Sequence, residues 1–237
     1  MRQMQLGAAI LDAMTLDTLE LQSGDTPVAS IVVLHGLGAD GNDFVPIAHE
    51  LDLEAVGPVR FVFPHAPVRP VTLNGGMPMR AWYDILGPGG KSGEDEAGLR
   101  ASAADVQALL DREAARGIPS ERTVLMGFSQ GCAMALLTGL RAPQRLAGLV
   151  GLSGYLPLAA STAAERSAAN RATPVFLAHG RHDPMVALAR GTATRDALLA
   201  LGQPLEWHDY PMEHSVCPEE ITDLNAWLLR VLLPASA

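Results

Sequence analysis

The residues that decide the fold run Arg122-Thr-Val-Leu-Met-Gly-Phe-Ser-Gln-Gly-Cys132. Arg122 to Met126 reads as a short strand covered on both faces, which is why its apolar character is continuous rather than alternating. From Gly131 to Leu140 the chain is small and apolar all round, the pattern of a helix enclosed in the middle of a fold. Between them, Gly127-Phe-Ser-Gln-Gly131 fits G-x-S-x-G, a sharp strand-to-helix turn that strains the serine backbone and lifts its hydroxyl clear of the sheet. Larger side chains at the glycines would clash in so tight a turn. The following helix N-terminus offers free N–H groups and partial positive charge to a developing oxyanion. The same five residues also occur in ordinary turns. The strand before and the small-residue helix after are what strengthen the reading.

Working outward, other short apolar runs read as strands: Ile31 to His35, Arg60 to Phe63, Leu146 to Leu152, Val175 to Ala178 and Leu205 to Tyr210, with Leu16 to Leu21 as an edge strand. Helical patterns alternate with them. In Asp95 to Arg116, residues Leu99, Ala103, Val106, Leu109 and Leu110 share one face. Leu188 to Leu201 and Pro218 to Leu233 add two more helices. The alternation predicts an α/β fold, a mostly parallel central sheet with helices on both faces, as one domain over residues 1–237. From Pro64 to Gly93 prolines and glycines are dense and no period survives, so a long lid-like loop is expected there. The Ala/Ser-rich stretch Pro157 to Pro174 is expected to cover the same end of the sheet.

Composition narrows the function. With 48% hydrophobic and 18% charged residues among 237, the chain can bury a substantial core and does not read as disordered. A formal net charge of -9 argues against nucleic acid as a partner, since phosphate neutralisation needs a basic face. Two cysteines, Cys132 and Cys217, make neither a disulfide framework nor a zinc site, and read as reduced thiols. No metal and no cofactor are expected. The longest apolar stretch near the start, Leu6 to Leu11, is short and followed by Asp12 and Asp17, unlike a secretory signal. Without a run long enough for a transmembrane segment, the expected location is cytoplasmic.

A serine hydroxyl needs a base and an orienting acid. In α/β-hydrolases these follow the serine in the order acid, then histidine. Of the seven histidines, only His208 and His214 lie beyond a plausible acid. His208 falls inside a strand, whereas His214 lies in Pro211-Met-Glu-His-Ser215, a loop that can overhang the serine. Asp183 follows the strand Val175 to Ala178 and is held by Pro184, so it stands on the rim where open α/β sheets bind ligands. Asp196 and Asp209 fall within a helix and a strand and read as surface charges. Glu213 is too near His214 in the chain to orient its ring. The candidate triad is therefore Ser129, Asp183 and His214.

Gly36-Leu-Gly-Ala-Asp-Gly41 also fits the dinucleotide fingerprint G-x-G-x-x-G. That rival requires an acid at the end of the next strand, and Phe61-Val-Phe-Pro-His65 has none. The alternative is an oxyanion loop, with backbone N–H groups of Leu37 and Gln130 as donors. His35 reads as a structural histidine that holds this loop.

Taken together, the motifs resemble the phospholipase/carboxylesterase family of α/β-hydrolases, which includes bacterial carboxylesterases and acyl-protein thioesterases. The resemblance is carried by His35-Gly-Leu-Gly-Ala-Asp-Gly-Asn-Asp-Phe44, Phe63-Pro-His-Ala-Pro67, Met79-Arg-Ala-Trp-Tyr-Asp84, the serine turn, Leu152-Ser-Gly-Tyr155 and His179-Gly-Arg-His-Asp183. It implies a cofactor-free hydrolase of acyl esters or thioesters, acting on small-molecule or lipid substrates. It also implies an acyl pocket lined by Trp82, Leu73, Met77 and Met79, and some members form a homodimer. Cys132 departs from the pattern, which has a glycine there, and reads as a small packing residue. Met185-Val-Ala-Leu188 lacks a proline often found after the acid. An acyltransferase on the same fold and a non-catalytic binding protein are the remaining readings.

Overall fold

The computed structural model describes residues 16–87 and 93–233. The stretch Leu6 to Leu11, and residues 88–92 of the expected loop, lie outside the described residues. In chain order the elements are β1 (Thr18–Gln22), β2 (Ala29–Leu34), α1 (Val45–Glu50), β3 (Val59–Pro64), β4 (Val68–Val71), β5 (Met77–Arg80), α2 (Glu96–Ala115), β6 (Thr123–Phe128), α3 (Gln130–Arg141), β7 (Gly148–Leu152), α4 (Ala159–Glu165), β8 (Val175–Gly180), α5 (Leu188–Ala200), β9 (Leu205–Tyr210) and α6 (Pro218–Leu232). Seven strands form one sheet in the order β1-β3-β2-β6-β7-β8-β9. Only β1 runs antiparallel to its neighbour; the other pairs are parallel.

Every residue of β2, β3, β7 and β8 is buried, as strands covered on both faces require. Alternate side chains divide between two cores. Val32, Leu34, Val62, Leu125, Leu149 and Leu177 pack with α2, α3 and α5, whereas Ile31, Val33, Phe63, Val124, Met126 and Phe176 pack with α6 and residues around α1. Each such side chain contributes roughly 1.5–3 kcal/mol on burial. Helix α2 begins where the Asp95 side chain accepts the Gly98 N–H and stops before Gly117, whose φ of 92° is open to glycine. Helix α3 is buried from Gln130 to Leu140, as its small-residue composition predicts. Among the described residues no helix is long and apolar enough to cross a membrane.

Two expectations change. The stretch 64–93 is not irregular throughout: β4 and β5 form an antiparallel hairpin that pairs Pro70 with Pro78. Its prolines remove the donors and the period by which a strand is recognised. The stretch 157–174 does not simply cover the serine's end of the sheet. It joins the end of β7 to the start of parallel β8, so it must travel the sheet's length. The Leu158 N–H bonds Glu94 at one end, and Asn170 binds the carbonyls of Ala142 and Gln144 at the other.

Candidate active site

The sheet grows in one direction from β2 to β3 and in the other from β2 to β6, so the carboxyl ends of β2 and β6 border a topological switch point. Loops after β2, β6, β8 and β9 meet there. Ser129, between β6 and α3, has φ 56° and ψ -115°. Its neighbours explain why the sequence adopts this turn. A Cβ on Gly127 would lie 2.1 Å from the Gly131 carbonyl oxygen, and one on Gly131 would lie 2.0 Å from that of Leu34. Only glycines let the helix start this close to both strands. The turn is pinned by the Ser129 N–H, which donates to the Leu152 carbonyl at 2.8 Å.

Three side chains far apart in sequence converge above it. His214 Nδ1 lies 2.6 Å from Asp183 Oδ2, and Nε2 lies 2.9 Å from Ser129 Oγ. The Asp183 side chain is fully buried and that of His214 is 18% exposed, so the pair is accessible only through the imidazole edge. Asp183 Oδ1 accepts the N–H groups of Met185 and Val186, both at 2.8 Å. Phe128 packs its ring 4.7 Å from the His214 ring. His208 instead stacks on Phe176 and binds Glu206, while Asp196 and Asp209 pair with Arg195 and Arg181.

The loop after β2 lies against the serine: a Cβ on Gly36 would sit 3.4 Å from Ser129 Cβ. Its conformation is set from beneath. His35 Nδ1–H donates to the Gly36 carbonyl at 2.7 Å, and Nε2 accepts the Ala66 N–H at 3.0 Å, an arrangement open only to the neutral ring. Burial holds the His35 pKa below its ordinary value, which favours that form. Trp82 Nε1–H donates to the His35 carbonyl at 2.9 Å. The Gln130 amide accepts the Trp82 N–H and donates to the Tyr83 carbonyl, both at 2.8 Å. Leu37 and Gln130 both border the cavity beside Ser129.

That cavity holds about 540 Å³ and is lined by Leu37, Leu73, Ile85, Leu86, Phe128 and Val186 together with Ser129 and His214. Of the residues expected in an acyl pocket, only Leu73 lines it. Trp82 is wholly buried, because its ring packs against His35 under the loop after β2 and its indole N–H is used there. Met77, 62% exposed, points outward from the hairpin, and Met79 sits below it against Asn74. Sequence reasoning missed Ile85, Phe128, Tyr155 and Arg190. Phe128 and Tyr155 lie inside two of the quoted motifs, Gly127 to Gly131 and Leu152 to Tyr155.

A model of the family described as phospholipase/carboxylesterase matches residues 16–232. The chain belongs to this family of α/β-hydrolases. Acyl-protein thioesterase 1 of Mycosarcoma maydis is 45% identical over 226 residues, covering 89% of this chain and 94% of that protein. Its namesake in Yarrowia lipolytica is 38% identical, covering 84% and 90%. Among solved structures, acyl-protein thioesterase 2 of Zea mays superposes with a TM-score of 0.82 at 32% identity, covering 92% and 99%.

Cys132 lies in the first turn of α3, directly after the serine turn. It is fully buried, and the lack of side chains at Gly151 and Gly154 makes its room: a Cβ on either would fall within 2.8 Å of it. Burial pushes its thiol pKa up to about 12, so it stays a neutral packing group in this phospholipase/carboxylesterase member.

Proposed function

We propose that the chain cleaves carboxylic esters and thioesters of acyl chains, with Ser129 as nucleophile, His214 as general base and Asp183 as the acid that orients it. One observation carries the reading: a single imidazole spans Asp183 and Ser129 at 2.6 and 2.9 Å. Because the Nδ1 proton is committed to the carboxylate, the Nε2 lone pair faces the hydroxyl. His214 takes the Ser129 proton as Oγ bonds to the acyl carbon. The resulting oxyanion is received by the Leu37 and Gln130 N–H groups, each worth roughly 3 kcal/mol in the transition state. Collapse breaks the bond to the leaving oxygen or sulfur, which takes the proton from the imidazolium. Water, activated by the same base, then releases the acid and restores Ser129. The apolar wall of Leu73, Ile85, Leu86 and Val186 suits the acyl chain. Relatives named acyl-protein thioesterases support including thioesters in the substrate class.

A panel of acyl chains from acetyl to palmitoyl, as oxygen and sulfur esters, tests this directly. Wild type should release free acid, and a fluorophosphonate should label Ser129. Ser129→Ala should lose both while keeping the wild-type melting temperature. Turnover that survives in Ser129→Ala would mean another nucleophile, and transfer to an added alcohol in preference to water would make the protein an acyltransferase.

A further inference from the structure

Arg190, in the first turn of α5, borders the same cavity as Ser129 and is the one arginine or lysine among the described residues that line it. Arginines elsewhere in the fold, such as Arg60, Arg116, Arg141 and Arg181, sit on carboxylates. Arg190 instead lays its guanidinium 3.4 Å above the ring of Tyr155. Stacking on an aromatic face uses the plane of the guanidinium and leaves its edge, with the N–H fork, free to bind. The platform beneath is fixed: Tyr155 Oη and Tyr83 Oη are 2.8 Å apart, and burial holds the Tyr83 hydroxyl well above its ordinary pKa, hence neutral.

The helix under Arg190 is equally fixed. A Cβ on Gly191 would fall 2.5 Å from His179 Nδ1, so α5 is seated directly on that buried ring. The opposite nitrogen, Nε2, donates to the Val186 carbonyl at 2.7 Å, in the loop that carries Asp183. Arg190 and the acid of the triad are thereby parts of one rigid assembly. Four carboxylates also border the cavity, and three are turned to backbone donors: Asp84 to Thr72, Asp95 to Asp84 and Gly98, and Glu94 to Leu158. Asp43, the fourth, is exposed at the cavity's lining. The guanidinium edge is thus left for the occupant of the cavity.

We propose that Arg190 is a specificity-determining residue that receives an anionic group of the substrate, a carboxylate or a phosphate, while the scissile carbonyl lies on Ser129. This rests on the hydrolase reading above. Two matched pairs test it. In one the anion is on the acyl side: the 4-nitrophenyl half-ester of glutaric acid against 4-nitrophenyl hexanoate. In the other it is on the leaving group: the hexanoyl ester of glycerol 3-phosphate against that of glycerol. The quantity read is the anionic-to-neutral ratio of kcat/KM in wild type, Arg190→Met and Arg190→Lys, so intrinsic reactivity cancels. Arg190→Met should lower the ratio about tenfold or more in at least one pair, mainly through KM, and Arg190→Lys, which keeps the charge but not the planar fork, should fall between Arg190→Met and wild type. The pair that responds identifies which side carries the anion. Ratios equal in all three proteins, or equal losses in Lys and Met variants, would overturn the proposal. Failure of the hydrolase reading is separate: wild type would then turn over none of the four esters.

Discussion

Asp183 divides its two oxygens between separate tasks. Oδ1 is held by the Met185 and Val186 N–H groups and Oδ2 takes the imidazole Nδ1–H. An asparagine would keep its carbonyl on the two backbone donors and so present its NH2 to His214. The ring would then have to accept at Nδ1 and carry its proton on Nε2, where it can no longer act as base toward Ser129. Asp183→Asn should therefore lower kcat by about 10⁴-fold while the melting temperature stays within a few degrees. Steady-state kinetics and calorimetry on the same preparation check both halves. Near-normal turnover would mean that another acid orients the base. Chain order and loop position singled out Ser129, Asp183 and His214 in the sequence, and the structure brings these three side chains within hydrogen-bonding distance. The role of Trp82 was not legible, because composition says an indole is buried or binding but not which; here the carbonyl of His35 decided.

Elements were legible where their surroundings are uniform. The fully enclosed strands β2, β3, β7 and β8 announce themselves as apolar runs. Helix α1 has no buried residue and α4 has only Thr162, so neither writes a period into the sequence. Helix α6 has the opposite character, with a strong apolar face interrupted by Glu220 near its start. Both carboxyl oxygens of Glu220 are buried with no partner in full hydrogen-bond geometry, and burial, opposed by the weaker pull of the Cys217 backbone, raises its pKa to about 8. The sign follows from linkage. Below the ordinary carboxyl pKa both folded and unfolded chains hold the proton. From there to about pH 8 only the folded chain does, so stability falls through that window and the penalty is complete above it. Glu220→Gln lacks the titration. Its melting temperature should match wild type near pH 4 and exceed it by several degrees at pH 8.5, as scanning calorimetry across that range would show. Parallel profiles would mean that Glu220 finds a partner when ionised.

On the scale of the whole molecule, the sheet separates chemistry from anchorage. Loops at the carboxyl ends of β2, β6, β8 and β9 carry the candidate site, and the strand order that makes that crevice comes from pairing between distant segments, which alternation in the sequence does not reveal. At the opposite ends, Glu113 of α2 is fully buried between Arg60 Nη1 and Arg116 Nη1, each at 2.9 Å, and accepts the Ser30 hydroxyl at 3.0 Å. Arg116 also reaches Glu20 on the edge strand β1, so one carboxylate ties α2 to β1, β2 and β3. Its removal leaves Arg60, which is nearly buried, without its direct ion-pair partner. A loss of about 3–5 kcal/mol is expected for Glu113→Ala. For a chain of this length that corresponds to a melting temperature lower by roughly 10 °C. The site should be indifferent, because the strands between it and Glu113 are packed on both faces and the Asp183–His214–Ser129 contacts involve none of these groups. At 20 °C, kcat/KM on a short-chain ester should stay within about twofold of wild type. A variant that remains folded yet loses tenfold in kcat would show that the two ends of the sheet are coupled through α2, whose N-cap Asp95 borders the cavity.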